Sequence, residues 1–341
     1  MIIKEAFLNE ELNNIKLFLE KFSLKLDDDV TKTFYIEDDE KIIGTISCAN
    51  YVIKSLAVDP TYQSENLAGK LVNEMINYFA QNGIYTYQVF TKPIYKFIFT
   101  SLGFREIVST DKVLMLEGGT GSIENELAII KKQLDIRFAT LDESSDLAAL
   151  VINGNPLTIG HVHLIEKASV NHQMVVVFIV EENKSEFTFQ ERLSMAYLAT
   201  KRLVNVCVLP STKYIVSSLT FPTYFLKDKD EVNKEHALID ALIFKNYFMK
   251  KLFIKKRYVG MESNNKMLNY NSTLKVVLQD SLVEIPRLEE NNNIVSASMV
   301  RKLIKENKLD EALKYIPREN WLVLSMIVKQ KYGNKWFNFK E

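Results

Sequence analysis

The stretch that decides the fold is Asn153-Gly154-Asn155-Pro156-Leu157-Thr158-Ile159-Gly160-His161, which follows the apolar residues 148–152 and precedes the helically spaced residues 164–168. An apolar run that stops at Asn, Gly and Pro and restarts with helical periodicity predicts a strand, a loop and a helix. The first turn of such a helix exposes unpaired N–H groups that suit a phosphate. The stretch therefore predicts a phosphate-binding loop.

The sequence around this loop is typical of an α/β fold. Apolar runs at 150–152, 174–180 and 204–209 alternate with helical stretches at 162–169 and 191–201. This alternation predicts a doubly wound parallel sheet. Ligands of such sheets bind beyond the carboxyl ends of the strands, which is where the loop that ends at His161 falls.

A glycine cluster at residues 117–122 separates this half of the chain from a first half with a different pattern. A length of 341 residues is also long for one hydrophobic core. We therefore predict a first domain at residues 1–118, a linker with a connecting helix at 119–145, and a second domain at 146–341. In the first domain, strands are predicted at 34–36, 42–49, 51–58 and 87–90, and a helix at 67–80.

Composition and charge limit the kinds of partner. The 43 basic residues balance the 43 acidic residues, so no overall field favours nucleic acid or an anionic membrane. Two isolated cysteines, Cys48 and Cys207, give neither a disulfide framework nor a zinc spacing, which fits a reducing compartment. The longest apolar stretch, residues 174–180, is too short to span a bilayer, and the N-terminus lacks a signal-peptide pattern. We expect a soluble, cytoplasmic protein without nucleic acid or membrane partners.

The residues Thr158-Ile159-Gly160-His161 resemble the H-x-G-H signature of the nucleotidyltransferase superfamily. The resemblance implies a reaction at the α-phosphate of a nucleoside triphosphate, with release of pyrophosphate. It implies that His161 and Thr158 orient the α-phosphate, with Thr158 in the place of the first histidine. Asn153, Asn155 and Gly160 are then expected to contact the nucleotide. A capped helix start with an unrelated histidine is the alternative interpretation.

A second segment, Ile294-Val295-Ser296-Ala297-Ser298-Met299-Val300-Arg301, resembles the I-S-S-T-x-x-R signature of the same superfamily. Ser296 or Ser298 can cap a helix whose free amides receive phosphate oxygens, and Arg301 lies one turn further on. Taken alone, the segment also fits an ordinary helix cap. The resemblance implies that Ser298 and Arg301 bind the β- and γ-phosphates and that Ser296 also contacts the nucleotide.

Transfer at a phosphate develops negative charge on oxygen, so the reaction requires fixed donors and no covalent nucleophile. His161 and His163 are two residues apart and point to different faces of a helix, so they do not form a metal pair. We predict no metal site made by the protein alone. Mg²⁺ is expected to arrive with ATP.

Residues 58–71, Val58-Asp59-Pro60-Thr61-Tyr62-Gln63-Ser64-Glu65-Asn66-Leu67-Ala68-Gly69-Lys70-Leu71, resemble the central motif of the GNAT acyltransferases, and residues 95–104 resemble a later helix and turn. In that family the amides of a Q/R-x-x-G-x-G/A loop hold the pyrophosphate of coenzyme A. Asn66 stands in the place of the first glycine, and its side chain can crowd a pyrophosphate. Binding of coenzyme A or acetyl-CoA to the first domain therefore stays open, and a degenerate GNAT domain that serves as a docking or regulatory module is the alternative.

The wider pattern resembles one family within the nucleotidyltransferase superfamily, the citrate lyase ligases, which also have an N-terminal GNAT domain. The similar segments lie at 153–168, 187–195, 221–228 and 258–262. The resemblance implies a GNAT-like α+β domain followed by a Rossmann-like nucleotidyltransferase domain with a doubly wound parallel sheet. It also implies nucleotide contacts at Gly260 and Glu262, and at Arg192, for which a salt bridge to Glu191 or to another neighbouring residue is the alternative.

The activity implied by this resemblance is that of an ATP-dependent acid–thiol ligase. Acetate and ATP would give enzyme-bound acetyl adenylate and pyrophosphate. The acetyl group would then pass to the thiol prosthetic group on the acyl carrier subunit of citrate lyase, releasing AMP. Three alternatives remain open: an N-acetyltransferase that uses acetyl-CoA, a nucleotidyltransferase that acts on a pantetheine or mononucleotide substrate, and a nucleotide sensor without turnover.

Three further segments each allow two interpretations. The aromatic residues at 221–225 frame an acetate or pantetheine pocket, or they form a buried cluster. Lys227 meets a carboxylate or phosphate, or it is solvated. The basic residues at 250–251 and 255–257 meet an acidic carrier protein, or they form a solvated face.

Overall fold

The computed structural model describes residues 2–215, 217, 221, 224–226, 228–261, 265–290 and 293–333, without the side chains of residues 63, 64, 265–269, 290 and 293. The chain forms two compact units. The first consists of Met1–Asn125 and Phe221–Ile239, and the second of Glu126–Thr220 and Asp240–Glu341. Each unit has its own sheet and its own hydrophobic core.

The first unit is built on a mixed sheet. Its strands are β1 (Ile3–Glu5), β2 (Lys32–Asp38), β3 (Lys41–Ala49), β4 (Val52–Val58), β5 (Thr86–Thr91), β6 (Arg105–Ser109) and β7 (Leu114–Gly119), and its early helices are α1 (Asn9–Glu20), α2 (Leu67–Gln81) and α3 (Lys96–Ser101). In the described residues the strand order is β1-β2-β3-β4-β5-β7-β6. Neighbouring strands are antiparallel except for β4 and β5, which are parallel.

Helix α2 covers one face of this sheet because its apolar residues recur at helical spacing. Leu67, Leu71, Met75 and Phe79 are all fully buried, and they form one stripe along the helix. Strands β4 and β5 pair where Val52 lies opposite Gln88 and then diverge after the next pair. The divergence leaves room for a cavity between the two strands.

The remaining elements follow in chain order. The strands are β8 (Leu147–Ile152), β9 (Met174–Ile179), β10 (Val206–Pro210), β11 (Ile254–Gly260), β12 (Leu282–Ile285), β13 (Glu289–Glu290) and β14 (Asn293–Ile294). The helices are α4 (Ile123–Phe138), α5 (Ile159–Asn171), α6 (Phe189–Thr200), α7 (Lys229–Ile243), α8 (Lys250–Leu252), α9 (Asn265–Leu278), α10 (Ala297–Lys305), α11 (Leu309–Leu313) and α12 (Trp321–Tyr332).

The sheet of the second unit has the order β10-β9-β8-β11-β12 among the described residues, and every neighbouring pair is parallel. The first four residues of β8 are fully buried, as expected for a central strand covered on both faces. Strand β8 leads into helix α5 through residues 153–158. The structure thus contains the predicted α/β architecture, with a mixed sheet in the first unit and a parallel sheet in the second.

The glycine cluster that suggested a domain boundary belongs largely to strand β7. A Cβ added to Gly119 would lie 2.1 Å from the carbonyl oxygen of Tyr85, and one added to Gly118 would lie 2.3 Å from the Tyr87 ring. These glycines are therefore required by close packing within the first sheet. The structure differs here from the predicted first domain of 1–118, because the first unit continues to Asn125.

A second difference concerns residues after position 220. The sequence places them in the second domain, whereas Phe221–Ile239 pack with the first unit. The Phe221 ring lies 5.8 Å from the Phe90 ring, and Thr110 Oγ1 donates to the Glu235 carboxylate at 2.5 Å.

Over the described part of the chain, no helix is both long and apolar enough to cross a membrane.

Candidate functional site

A cavity of about 630 Å³ in the second unit lies at the carboxyl ends of β8, β11 and β12. Its wall includes Thr158, Gly160 and His161 at the start of α5, together with Ser296 and Ser298 at the start of α10. The two segments that resemble superfamily signatures are far apart in sequence, yet they line one cavity. Two helix N-termini at one site supply unpaired N–H groups and positive dipole ends, which favour an anion.

The buried Arg192, which is 0 % exposed, holds the loop before α5 in place by hydrogen bonds. Arg192 Nη1 donates to the carbonyl oxygen of Asn153 at 2.7 Å and to its Oδ1 at 2.8 Å. Its Nε donates to the carbonyl of Phe187, and its Nη2 pairs with Glu182. All three guanidinium nitrogens thus have protein acceptors.

These contacts are those of a positioning residue. Arg192 is not among the residues that line the cavity, although the resemblance implied a nucleotide contact there. Its ion-pair partner is Glu182, so the alternative of a salt bridge to a neighbouring residue is the one that the structure shows, although that residue is not Glu191. Asn153, which Arg192 fixes, does line the cavity.

Asn155 also stabilises the loop from inside the protein. Its Oδ1 accepts a hydrogen bond from the backbone N–H of Phe187 at 3.0 Å, and its carbonyl accepts one from Arg301 Nη1. Asn155 and Arg301 are not part of the cavity wall. Through its hydrogen bond to the Asn155 carbonyl, Arg301 links the second signature segment to the first.

The protonation state of His161 follows from its contact with Thr158. The backbone N–H of Thr158 donates to Nδ1 of His161 at 3.0 Å. Because Nδ1 accepts this bond, the proton of a neutral imidazole must be on Nε2. Burial, assisted by the charge of Arg287, lowers the pKa of His161 to about 4. At neutral pH, His161 therefore carries an Nε2–H donor.

This lowered pKa predicts a pH-dependent stability. Between pH 6.5 and about 4 the unfolded chain binds a proton on residue 161 that the folded protein excludes. The free energy of unfolding should therefore decrease as the pH falls through this window, by up to roughly 3 kcal/mol more in the wild type than in His161→Gln. Denaturant titrations of both proteins across this range measure the difference, and parallel curves would contradict the prediction.

The second signature begins helix α10 as expected. Ser296 is its N-cap, with Oγ accepting from the backbone N–H of Met299 at 3.2 Å. Ser298 is exposed, and its Oγ accepts from Arg301 Nη2 at 3.3 Å. Ser296 is thus occupied in capping, whereas Ser298 presents a hydroxyl next to an arginine.

Two glycines of the wall differ in what surrounds them. A Cβ added to Gly160 would lie 3.4 Å from the carbonyl oxygen of Val295, so the start of α5 packs against the second signature. A Cβ added to Gly260 would meet no atom of the residues that the structure describes within 4 Å, its chain neighbours aside. Gly260 lies at the end of β11 and lines the cavity, so its surface is open to a ligand.

Several wall residues were not identified from the sequence. Arg257, Tyr270, Asn271 and Arg287 all line the cavity. Arg287 donates from Nε to the carbonyl of Met261 at 2.8 Å. Arg257 lies in β11, Tyr270 and Asn271 lie in α9, and Arg287 follows β12. No local motif marks these residues, because distant segments decide how these elements pack.

The predicted surface cluster of basic residues is divided in the structure. Arg257 is 2 % exposed and pairs with Asp240, so it cannot take part in a solvated or docking face. Lys255 and Lys256 are hydrogen-bonded to backbone carbonyls. Glu262 and Lys227 lie outside the described residues.

The first unit has a cavity of its own, of about 560 Å³, where β4 and β5 diverge. Asn66 has a left-handed backbone, and its Oδ1 lies 2.5 Å from the Cβ position of Gly69. The Asn66 side chain therefore lies over the first turn of α2. Tyr224 and Phe225 are buried, and both line this cavity.

Tyr224 is fixed to the first unit by two hydrogen bonds. Its hydroxyl donates to the carbonyl of Phe90 in β5, and its own carbonyl accepts from the backbone N–H of Lys25 at 3.1 Å. Its ring lies 4.9 Å from that of Phe225. The aromatic residues of this segment thus form a buried cluster beside a cavity.

Two family models match the chain. The model of the citrate lyase ligase C-terminal domain matches residues 147–324, and that of the GNAT acetyltransferase domain matches residues 30–106. Among solved structures, the ribosomal-protein-S18-alanine N-acetyltransferase of Escherichia coli is 14% identical with a TM-score of 0.29, over 36% of this chain and 96% of that chain.

Curated relatives match almost the whole chain. The citrate (pro-3S)-lyase ligase of Haemophilus influenzae is 30% identical over 324 residues, which are 90% of this chain and 93% of the relative. The enzyme of the same name from Escherichia coli is 29% identical over 318 residues, which are 91% of this chain and 89% of the relative. These alignments extend over both units.

Proposed function

This chain belongs to the citrate lyase ligase family, and from this premise we propose that it activates acetate with ATP and acetylates citrate lyase. A carboxylate oxygen of acetate attacks the α-phosphorus of ATP, the bond to pyrophosphate breaks, and acetyl adenylate forms. The thiol of the prosthetic group on the acyl carrier subunit then attacks the acetyl carbonyl, loses its proton to solvent, and displaces AMP. The isolated cysteines fit a reaction in the cytoplasm.

The observation that supports adenylation best is the convergence of two helix N-termini, α5 and α10, on one cavity. Adenylation develops negative charge on phosphate oxygens, which preorganised donors stabilise. We assign His161 Nε2–H to the α-phosphate, with Thr158 fixing the tautomer. Ser298, which lines the cavity, is assigned to the β- and γ-phosphates, and Arg301, which lies outside the cavity wall, to holding the Ser298 hydroxyl in place by donating to it. Mg²⁺ would be bound through the phosphates of ATP.

Acetate-dependent exchange of labelled pyrophosphate into ATP tests this function. We expect exchange with acetate and Mg²⁺, and release of AMP only when the thiol form of the carrier is added. If pyrophosphate exchange required a different acceptor and did not occur with acetate, the assignment of acetate as the acid substrate would be contradicted. Acetyl transfer from acetyl-CoA without ATP would favour an N-acetyltransferase instead.

Gly260→Ala tests whether the nucleotide approaches the end of β11. The added methyl group meets no atom of the described part of the chain within 4 Å, so the free energy of unfolding should change by less than about 1 kcal/mol. If ATP packs against Gly260, the methyl group should raise the KM for ATP roughly tenfold or more. An unchanged KM for ATP in a stably folded variant would show that ATP does not pack against Gly260.

Coenzyme A remains the candidate ligand of the first-unit cavity. The position of Asn66 over the first turn of α2 leaves less space for a pyrophosphate. Equilibrium dialysis with labelled coenzyme A compares the wild type with Asn66→Gly. Tighter binding by the variant would show that this side chain obstructs the ligand, and equal binding would show that it does not.

A further inference from the structure

Asn271 is a polar residue on the buried face of helix α9. Leu274 and Leu278 are buried on this face, and Asn271, which precedes Leu274 by three residues, is 5 % exposed. Spacings of three and four residues place the three side chains on one side of the helix. A buried polar side chain is costly unless its polar atoms form hydrogen bonds. The partners of the Asn271 amide therefore indicate why a polar residue occupies this position.

The Asn271 amide has a fixed orientation. Its Nδ2 donates to the backbone carbonyl of Gly260 at 2.9 Å and to Oε1 of Glu284 at 3.3 Å. Because a backbone carbonyl can only accept, the amide nitrogen and not the amide oxygen must face Gly260. These two bonds use both N–H groups of the amide. Oδ1 consequently points away from Gly260 and Glu284.

Oδ1 of Asn271 is an acceptor in the cavity wall. It accepts no hydrogen bond from the described part of the chain, and it is not one of the fully buried polar atoms there that lack a partner. It is therefore accessible. Since Asn271 is otherwise almost completely buried and lines the cavity whose wall includes His161, this acceptor faces the cavity.

An acceptor at this place distinguishes between the groups that the proposed substrates present. The triphosphate of ATP and the carboxylate of acetate offer acceptor oxygens at neutral pH, so neither pairs with Oδ1. The donors that these two substrates offer are the hydroxyl groups of the ribose and the amino group of adenine. Asn271 is thus suited to the nucleoside part of ATP and not to its phosphates.

The sheet topology favours the ribose over the base. Strand β8, which leads to the start of α5, is the direct neighbour of β11, and neighbouring strands lie about 4.8 Å apart. Asn271 is hydrogen-bonded to Gly260, the last residue of β11. The ribose is joined directly to the α-phosphate, whereas the amino group of adenine lies at the far end of the base. A donor close to the α-phosphate at α5 is therefore a ribose hydroxyl.

We propose that Asn271 binds the nucleotide by accepting a hydrogen bond from a ribose hydroxyl at Oδ1, and that it thereby selects ribonucleotides. Gly260 and Glu284 hold the amide in the orientation that this contact requires. The inference rests on the proposed function, because it assigns a ribose contact within the site that binds ATP.

The test compares ATP with 2′-deoxy-ATP and 3′-deoxy-ATP in acetate-dependent pyrophosphate exchange. In the wild type, loss of the hydroxyl that donates to Oδ1 should raise the KM for the nucleotide roughly tenfold, because a nearly buried acceptor is left without its partner. In Asn271→Ala, the KM values for ATP and for this deoxynucleotide should agree within about twofold, since the acceptor is gone. A purely structural role at Gly260 would instead raise all three KM values and leave their ratios unchanged.

Two controls accompany this comparison. Asn171→Ala is the matched variant, because Asn171 Nδ2 also donates to a backbone carbonyl, that of Lys167, but Asn171 is not part of the cavity wall. It should keep the wild-type ratios. Purine riboside triphosphate, which lacks the amino group of adenine, should have the same KM relative to ATP in the wild type and in Asn271→Ala.

Each outcome decides the inference. A deoxynucleotide effect in the wild type that Asn271→Ala abolishes supports it. Equal KM values for ATP and both deoxynucleotides in the wild type overturn it, whether or not the variant folds. It is also overturned if the effect persists in Asn271→Ala, or if the variant changes only the KM of purine riboside triphosphate relative to ATP, since the base would then be the ligand.

Failure of the proposed function is distinguishable from failure of this inference. In that case the wild type would show no acetate-dependent exchange. Equilibrium dialysis of the same nucleotides without acetate would still compare their affinities for the wild type and Asn271→Ala. A ribose-dependent affinity that only the wild type shows would support the contact, and equal affinities for the wild type would overturn it.

Discussion

Replacement of His161 by alanine is expected to lower acetate-dependent pyrophosphate exchange by roughly 10²- to 10³-fold, the usual effect of removing one donor to a developing oxyanion. The change removes the Nε2–H that the Thr158 backbone fixes by donating to Nδ1 at 3.0 Å. Because the ring is neutral, the loss is one of a directed hydrogen bond and not of a charge. The KM for ATP should change less than kcat, since the donor acts mainly in the transition state.

Two conservative variants show which ring nitrogen matters. Gln at position 161 can place an N–H near the position of Nε2, whereas Asn reproduces only the nearer Nδ1 position. We expect His161→Gln to retain more exchange than His161→Asn, and His161→Asn to resemble alanine. The opposite order would contradict the assigned tautomer, and near-normal exchange by alanine would exclude His161 from the reaction.

Replacement of Arg192 by methionine is expected to destabilise the second unit by about 3–5 kcal/mol, because it leaves a buried carboxylate without its partner. Glu182 is 5 % exposed and forms the ion pair with Arg192. The change also removes the donor to the Asn153 carbonyl that fixes the loop before α5. Denaturant titration followed by tryptophan fluorescence reports on this unit through Trp321.

A companion variant separates the buried charge from packing. Adding Glu182→Gln to Arg192→Met removes the unpaired carboxylate and should recover part of the lost stability. Exchange should still be reduced, because the Asn153 loop would lack its anchor. A loss below about 1 kcal/mol for Arg192→Met would show that the pair contributes little, as exposed ion pairs do.

Much of the fold could be predicted because local patterns record burial. The apolar run of β8 and the helical spacing of α2 predict elements that the structure contains. The glycine cluster was harder to interpret, because a loop and a tightly packed strand end both require glycine. Gly119 approaches the Tyr85 carbonyl from more than thirty residues away in the chain, and no local pattern records such an approach.

Only part of the candidate site could be predicted from the sequence, because only some of its residues stand in local motifs. Thr158, His161 and Ser298 stand in recognisable signatures, whereas Arg257 stands in a basic run that suggested a surface. One signal for its burial existed, since Arg257 is followed by the apolar residues Tyr258 and Val259. Its partner Asp240, however, belongs to a different element, and periodicity does not reveal which charges meet.

The sequence by itself determined the loop before α5 and the contact between Thr158 and His161. Residues three apart at the start of a helix meet through the geometry of one turn, whatever surrounds them. Only the tertiary structure decided which distant segments complete the site. Arg192 reaches Asn153, and Arg257 reaches Asp240, through the packing of helices on a parallel sheet. Those contacts depend on strand order, which is a long-range property that no local spacing encodes.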